Sequence, residues 1–206
     1  MFFFPTFVQQ KKGEFSMKEM IIKDKQFELF LSEKDILDAV IRIADELNKE
    51  YRDKSPVFVC VLTGAFMFAT EVIKRFEWDC EVVFIRLKSY EGTQSKGEVR
   101  ELQGFIEKIE NRNVIILEDI IETGITMMHL LDRMKRQNPA DVRIASLFLK
   151  PDALQKEIRP DYVAYEIKND FIVGFGLDYD GYGRNLRQVY RLKRISANPT
   201  KHKALC

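Results

Sequence analysis

Cysteine and histidine are scarce in this sequence. Its 206 residues include three cysteines and two histidines, and no cysteines form a CxxC pair. A disulfide framework or a zinc site needs more of these residues at closer spacing. We therefore expect neither, and we expect a reducing, cytoplasmic location. His129 falls in a helical pattern, where a structural or solvated role is the expectation.

An excess of charge of either sign is also missing. The chain has 33 Lys and Arg against 32 Asp and Glu, for a net charge of +1. Nucleic-acid coats and membrane-surface proteins need an excess of positive charge, so we expect neither partner. Hydrophobic residues make up 46% of the chain, which is enough for a full core in one large domain.

Long apolar runs are absent as well. No segment approaches the roughly 18 apolar residues that suggest a membrane-spanning helix. The opening MFFFPTFVQQKKG is apolar but short, and Pro5 interrupts it, so we interpret it as neither signal peptide nor anchor. Residues 1–20 are predicted to be a poorly ordered extension, 21–195 the folded domain and 196–206 a tail.

Strand and helix patterns alternate through most of the chain, which predicts an α/β fold with a parallel sheet. Strands are predicted at 57–62, 80–87, 114–117 and 142–149, and helices after the Ser32 cap, at 66–76 and after Gly124. Short β segments at 162–167, 171–173 and 188–192 predict a small antiparallel layer. The polar segment 89–97 has no core residues and is predicted to be a lid.

The stretch EDIIETGIT (118–126) carries the most chemical information. A Gly/Thr turn between a strand and a helix favours phosphate, yet Glu118, Asp119 and Glu122 crowd this turn with carboxylates that repel phosphate. A ribose 5-phosphate group satisfies both features. Its phosphate would bind the turn (Glu122, Thr123, Gly124, Ile125 and Thr126), and its hydroxyls would donate to the first two acids. Since ligands of parallel sheets bind beyond the carboxyl ends of the strands, Thr63, Gly64 and Lys150 should share this edge.

Several motifs in this order resemble those of the hypoxanthine-guanine phosphoribosyltransferases, which are type I phosphoribosyltransferases. They are VLTG (61–64), IRLKSY (85–90), EDIIETGIT (118–126), ASLFLK (145–150), FIVGFGLDY (171–179) and YGRNL (182–186). The resemblance covers about 21–192. It implies a parallel sheet flanked by helices, a small hood subdomain built from the terminal segments, and a homodimer or homotetramer.

The resemblance also implies a reaction. Ribose 5-phosphate would pass from phosphoribosyl pyrophosphate to N9 of hypoxanthine or guanine, giving IMP or GMP and pyrophosphate in purine salvage. The transition state would resemble an oxocarbenium ion, which nearby carboxylates stabilise. Mg²⁺ is the implied cofactor, held by Asp178 and less directly by Glu118 and Asp119.

Other roles carry over by motif position. Lys150 would donate to the purine 6-oxygen, Phe171 would stack on the base, and Ile172 would contact the base through its backbone. The alternatives are an ordinary surface lysine at 150 and a core phenylalanine at 171. The backbone at Thr63 and Gly64, together with Arg184, would bind pyrophosphate, and Ser89 and Tyr90 would begin the lid.

Two residues depart from the family pattern. The acid that assists the proton at the purine N7 is usually Asp, whereas here it is Glu122, one methylene longer. Lysine is common where this chain has Thr63, so the missing charge would fall to Mg²⁺ and Arg184. We expect Glu122 to act as the general acid/base.

Three other classes of protein are alternatives. A dinucleotide-binding protein would show GxGxxG after a strand, and the chain has neither this motif nor GxxxxGK[ST]. A transferase for orotate or adenine would share the ribose-phosphate turn but would not explain Lys150 together with FIVGFGLDY. An RNA-regulating protein of this fold would need a basic face and would bind RNA in a salt-sensitive way.

Overall fold

The computed structural model describes residues 18–89, 99–103 and 109–193. The predictions for Tyr90, for nearly all of the lid at 89–97 and for the tail at 196–206 lie outside the described residues. Residues 1–17 of the predicted extension lie outside them too. In the described part, none of the helices is both long and apolar enough to cross a membrane.

The described residues form ten strands and three α-helices. In chain order these are β1 (Glu19–Ile22), β2 (Lys25–Leu31), α1 (Glu33–Glu50), β3 (Val57–Leu62), α2 (Phe66–Ile73), β4 (Glu81–Ser89), β5 (Val99–Gln103), β6 (Asn113–Ile121), α3 (Ile125–Lys135), β7 (Asp141–Leu149), β8 (Tyr162–Glu166), β9 (Ile172–Val173) and β10 (Val189–Leu192). A 3₁₀ turn, Pro151–Ala153, follows β7.

The larger sheet has the strand order β5-β4-β3-β6-β7-β8. All neighbouring pairs are parallel except β4 and β5, which are antiparallel at one edge. The predicted parallel sheet is therefore confirmed. The carboxyl ends of β3, β6 and β7 lie next to one another at one edge of this sheet.

The segment at 162–167 corrects a prediction. It was expected in the small antiparallel layer, but β8 pairs in parallel with β7, and Ala145 lies opposite Tyr162. Tyr162 and Ala164 are buried while their neighbours are less so, because an edge strand is covered on one face only. That alternation resembles the pattern of an antiparallel strand, which explains the error.

Helices cover both faces of the larger sheet. Phe58 and Cys60 of β3 pack in a core with α1 and α2, whereas Val59 and Val61 pack on the other face with Met127 of α3. Side chains alternate between faces along a strand, so continuous apolar runs are required where both faces are covered. The apolar sequence of β3 therefore follows from its central position.

The predicted Ser32 cap is confirmed. Ser32 Oγ accepts a hydrogen bond from the Asp35 backbone N–H at 3.2 Å, and the Asp35 carboxylate accepts one from the Ser32 N–H at 3.2 Å. Together these bonds form a capping box that satisfies two free donors at the start of α1. The second helix is shorter than predicted, since α2 ends at Ile73 and a tight turn follows.

A smaller antiparallel sheet, here called the hood, has the order β1-β2-β10-β9. It joins strands from both ends of the chain around a core of Phe27, Val173 and Tyr190. Sequence patterns indicated β9 and β10 but missed the β1–β2 hairpin. β1 begins at Glu19, two residues before the predicted domain start at 21.

Candidate active site

The backbone at Gly64 is the point where three parts of the chain meet. A Cβ at Gly64 would overlap the carboxylate of Asp119 in β6. A Cβ at Gly176, whose φ is +101°, would overlap the Gly64 carbonyl oxygen. Glycine at both positions therefore lets the turn after β3, the β6 carboxylate and a hood loop approach one another closely.

Glu118 and Asp119 lie inside β6, which is longer than the strand predicted at 114–117 and includes both acids. Glu118 is 8% exposed and pairs in register with Ser146 of β7. Glu118 is therefore a buried strand residue and does not lie in a solvated turn. Burial raises the pKa of the Glu118 carboxyl well above its ordinary value, and the neighbouring charge of Asp119 raises it further.

Asp119, which is partly buried, is the second carboxylate of this pair. Its Oδ1 accepts a hydrogen bond from the Ile120 N–H at 2.9 Å. Burial raises the pKa of Asp119, while its hydrogen bonds and the positive charge of Arg184 act in the opposite direction. A buried carboxylate next to a partly buried one forms an acceptor-rich patch, suited to sugar hydroxyls or to positive charge.

The turn at 122–126 is built as a helix start. Gly124 caps α3 with φ +75°, a conformation that glycine adopts without steric cost. The Thr123 carbonyl accepts hydrogen bonds from the N–H groups of Gln155 at 3.0 Å and Lys156 at 3.2 Å. These bonds attach the turn to the segment that follows β7. The first N–H groups of a helix have no partner within it, so the amino end of α3 suits an anion.

Lys150 directly follows β7, and its side chain reaches Glu122. The residue is only 3% exposed, which excludes an ordinary surface lysine. Its ammonium donates a hydrogen bond to Glu122 Oε1, and the Glu122 side chain is half exposed. The Lys150 backbone N–H also donates to the Ile121 carbonyl at 2.9 Å, which holds the two segments together. A cation and a carboxylate thus stand side by side at the sheet edge.

Phe171 and Ile172 lie in or beside β9 of the hood. Phe171 is 43% exposed, so the alternative of a core phenylalanine is excluded. Its ring lies 6.3 Å from that of Phe27 and 5.8 Å from that of Tyr179, measured between centroids. Ile172 is buried and pairs with Arg191 of β10. The Phe171 ring is therefore exposed and is supported by two neighbouring rings.

Asp178 and Arg184 form an ion pair across the loop that joins β9 to β10. Arg184 Nη2 lies 2.7 Å from Asp178 Oδ1, and Arg184 Nη1 donates to the Gly176 carbonyl at 2.8 Å. Asp178 Oδ2 also accepts from the Gly181 N–H at 2.6 Å. The loop therefore holds a carboxylate and a guanidinium beside the Gly64–Gly176 contact.

The described residues contain no cluster of three or more His, Cys, Asp or Glu side chains that could hold a metal ion. The carboxylates predicted to serve a metal are Asp178 in the loop between β9 and β10 and Glu118 and Asp119 in β6. This donor set fits Mg²⁺, which takes oxygen ligands and commonly binds through one or two carboxylates plus substrate phosphates.

The remaining candidate residues lie in the turn after β3, at the end of β4 and in α3. Thr63 is exposed in the turn after β3, and its carbonyl accepts from the Phe66 N–H at 3.4 Å. Ser89 is the last residue of β4. Ile125 and Thr126 form the first turn of α3 and are partly buried. His129 is exposed on the same helix, as expected of a solvated residue.

Sequence reasoning missed the residues that contact Phe171 and the loop between β9 and β10. Asp24 and Lys25, at the turn between β1 and β2, contact Tyr179 and Phe171. The only local signal was the charged KDK (23–25) between two apolar segments, and it does not identify a partner. Gly176 could have been found from the GFG of the 171–179 motif.

Comparison with known proteins agrees with this geometry. The phosphoribosyl transferase domain family matches residues 29–180. A hypoxanthine-guanine phosphoribosyltransferase of Streptococcus thermophilus is 45% identical over 175 residues, which are 84% of this chain and 97% of the relative. One of Streptococcus pyogenes is 41% identical over the same shares.

Solved structures show the same likeness. A hypoxanthine phosphoribosyltransferase from Staphylococcus aureus superimposes with a TM-score of 0.77 and 35% identity, covering 81% of this chain and 91% of that one. A hypoxanthine-guanine phosphoribosyltransferase from Bacillus anthracis gives 0.75 and 30%, covering 80% and 97%. The chain therefore belongs to the hypoxanthine-guanine phosphoribosyltransferase family.

Proposed function

We propose that this protein transfers the 5-phosphoribosyl group from phosphoribosyl pyrophosphate to N9 of hypoxanthine or guanine, in purine salvage. The products are IMP or GMP and pyrophosphate. The observation that carries the proposal is the buried Lys150 ammonium beside the Glu122 carboxylate. A 6-oxopurine presents an acceptor oxygen at C6 and a nitrogen at position 7 on one edge, and this pair complements both.

The ribose 5-phosphate half of the substrate fits the rest of the edge. Its phosphate would bind the N–H groups and hydroxyls of the turn at 122–126, at the amino end of α3. Its 2′- and 3′-hydroxyls would donate to Glu118 and Asp119. The same two carboxylates would stabilise positive charge as the bond from C1′ to the pyrophosphate oxygen breaks.

The base and the leaving group would occupy opposite sides of that sugar. Phe171 would stack on the purine, Ile172 would contact it through its backbone, and Lys150 would donate to O6. Pyrophosphate would bind the backbone of Thr63 and Gly64 and the guanidinium of Arg184, which suits phosphate oxygens. Ser89 and Tyr90 would begin a lid that excludes water.

Proton transfer is assigned to Glu122. As N9 attacks C1′, the base must lose a proton, and the Glu122 carboxylate would accept it at N7. Mg²⁺ bound by Asp178, and less directly by Glu118 and Asp119, would neutralise pyrophosphate charge. We also infer a cytoplasmic location and a homodimer or homotetramer, which stay predictions from the sequence.

A substrate panel tests the proposal. The purified chain is incubated with phosphoribosyl pyrophosphate and Mg²⁺, and hypoxanthine, guanine, xanthine, adenine or orotate is offered in turn. Nucleotide formation is followed by absorbance or chromatography. We expect conversion of hypoxanthine and guanine, and the xanthine result will define the outer limit of the specificity. Preference for adenine or orotate would contradict the proposal.

A further inference from the structure

The turn between β1 and β2 contacts the face of the hood that carries Phe171. The Lys25 ammonium lies 4.5 Å from the centroid of the Tyr179 ring and 5.6 Å from that of the Phe171 ring. Both distances are within the range of cation–π attraction. Within the described part of the chain Lys25 makes no salt bridge, so these rings are its main partners.

Asp24 holds the second of these rings. The Tyr179 hydroxyl donates a hydrogen bond to Asp24 Oδ1 at 2.8 Å. The Tyr179 and Phe171 rings meet edge to face, with an interplanar angle of 89°. This hydrogen bond therefore fixes the Tyr179 ring, which packs edge to face against Phe171.

The far end of the same turn is tied to the same loop. The Lys23 ammonium pairs with the Asp180 carboxylate and lies 4.9 Å from the centroid of the Tyr182 ring. Three consecutive residues, the two of the β1–β2 turn and the first of β2, thus contact the loop after β9. This pattern is more specific than a charged hairpin that only faces water.

Phe171 needs such support because the rest of its ring is exposed. Behind it lies Phe27, which is fully buried in the hood core, with the ring centroids 6.3 Å apart. Phe27 supports one side only, and an unsupported exposed ring would sample several rotamers. Ordering such a ring on ligand binding costs free energy, which a pre-positioned ring avoids.

We propose that Lys25 and Asp24 are positioning residues for the purine site. Lys25 acts directly on the Phe171 and Tyr179 rings, and Asp24 acts through Tyr179, so that Phe171 presents a fixed face to the base. The proposal rests on the proposed function, because it assumes that a purine stacks on Phe171. Its consequence is selective: affinity for the base should depend on this turn, and affinity for phosphoribosyl pyrophosphate should not.

The decisive variant is Lys25→Met, which keeps the length of the side chain and removes its charge. Loss of an exposed cation–π contact should raise KM for hypoxanthine about two- to fivefold, with kcat changed by less than about twofold. KM for phosphoribosyl pyrophosphate should stay constant. Tyr179→Phe, which removes the bond to Asp24, should also raise the KM for hypoxanthine. Lys25→Arg keeps a cation, so it should leave that KM at the wild-type value.

Lys193→Met is the matched control. Lys193 directly follows β10 of the hood, and its ammonium pairs with Glu19 at 2.7 Å instead of contacting the Phe171 or Tyr179 ring. The dissociation constant of IMP, measured by calorimetry, gives a readout independent of turnover. It should weaken in Lys25→Met by a factor similar to the change in KM and remain at the wild-type value in Lys193→Met.

The outcomes separate the two proposals. If the wild-type protein converts no 6-oxopurine, the proposed function fails. If the wild type is active but Lys25→Met matches Lys193→Met in KM for hypoxanthine and in IMP binding, the positioning role is wrong. Equal rises in both KM values with a lowered Tm would also overturn it, because the turn would then only stabilise the fold.

Discussion

The Lys150 ammonium at the end of β7 is paired with the Glu122 carboxylate at the end of β6, and the lysine is almost fully buried. Replacing Lys150 with a neutral residue should therefore weaken the recognition of a 6-oxo group. We expect Lys150→Met to weaken transition-state binding of hypoxanthine by about 1–3 kcal/mol, the range for losing a charge-assisted hydrogen bond.

The measurement is kcat/KM for hypoxanthine and adenine in the wild type and in Lys150→Met. Lys49→Met, at an exposed position in the last turn of α1, serves as the control. The ratio of the two substrates should move toward adenine in the first variant only. An unchanged ratio would place the discrimination in another residue.

Glu122 should carry the proton of the reaction although it is Glu and not Asp. Glu122→Gln keeps the shape and the hydrogen bond to Lys150 but cannot accept a proton, so kcat should fall by a large part of about 10²–10⁴-fold while KM changes little. Glu122→Asp should keep substantial activity. A wild-type rate for Glu122→Gln across the pH range would show that the proton goes elsewhere.

The larger sheet could be predicted from sequence because buried parallel strands are apolar throughout, as in VFVCVL (57–62). The strand ends then place Gly64, Glu122 and Lys150 at one edge without further information. β8 was misassigned because an edge strand alternates like an antiparallel one. The β1–β2 hairpin, and with it Asp24 and Lys25, could not be found, since the bond between Asp24 and Tyr179 spans 155 residues.

Burial of individual carboxylates was also beyond the sequence. Glu118 looked like a turn residue because acids rarely occupy central strands. Glu118 lies near the carboxyl end of β6, where the substrate is proposed to bind. Function there outweighs the preference of a central strand for apolar residues. The resemblance to a known family supplied the roles of Phe171, Asp178 and Arg184, which no periodicity or spacing indicates.

Among the carboxylates of the site, Asp178 should contribute most to Mg²⁺ binding. Asp178→Asn removes a carboxylate that also pairs with Arg184 at 2.7 Å. We expect the Mg²⁺ concentration for half-maximal rate to rise about tenfold, since a charged contact is lost. Excess chelator should abolish the activity of the wild type, and added Mg²⁺ should restore it. Full activity in chelator would contradict the assignment.

Glu118 should lower the stability of the protein at neutral pH. Its folded pKa is raised well above the ordinary 4.5, so the native state binds more protons than the unfolded state between these two values. Stability attributable to this group therefore falls as pH rises from about 4.5 through the folded pKa. Glu118→Gln, which cannot ionise, should raise Tm at pH 7–8 and leave it unchanged below pH 4.

Thermal unfolding of both proteins across pH 4–8 measures this difference. Glu166→Gln, at an exposed position of β8, provides the control and should show no such trend. The Glu118 variant should at the same time lose affinity for phosphoribosyl pyrophosphate, because an NH₂ donor replaces one of the two oxygens proposed to accept from the ribose hydroxyls. A Tm gap that is constant with pH would show that burial does not raise the pKa of this carboxyl.

Gly64→Ala should disable the site while leaving most of the fold intact. The added methyl group would overlap the Asp119 carboxylate, and Gly176 presses on the carbonyl of residue 64 from the other side, so neither neighbour can yield freely. We expect kcat/KM to fall at least tenfold, since displacing the Asp119 carboxylate by about an ångström or more is costly. Gly181→Ala, where a methyl group meets no atom within 4 Å, is the control, although its φ of +85° carries some strain. Circular dichroism and Tm separate loss of geometry from loss of fold. A Gly64→Ala protein with wild-type turnover would show that Asp119 can move without consequence, and its role in holding the ribose would then have to be abandoned.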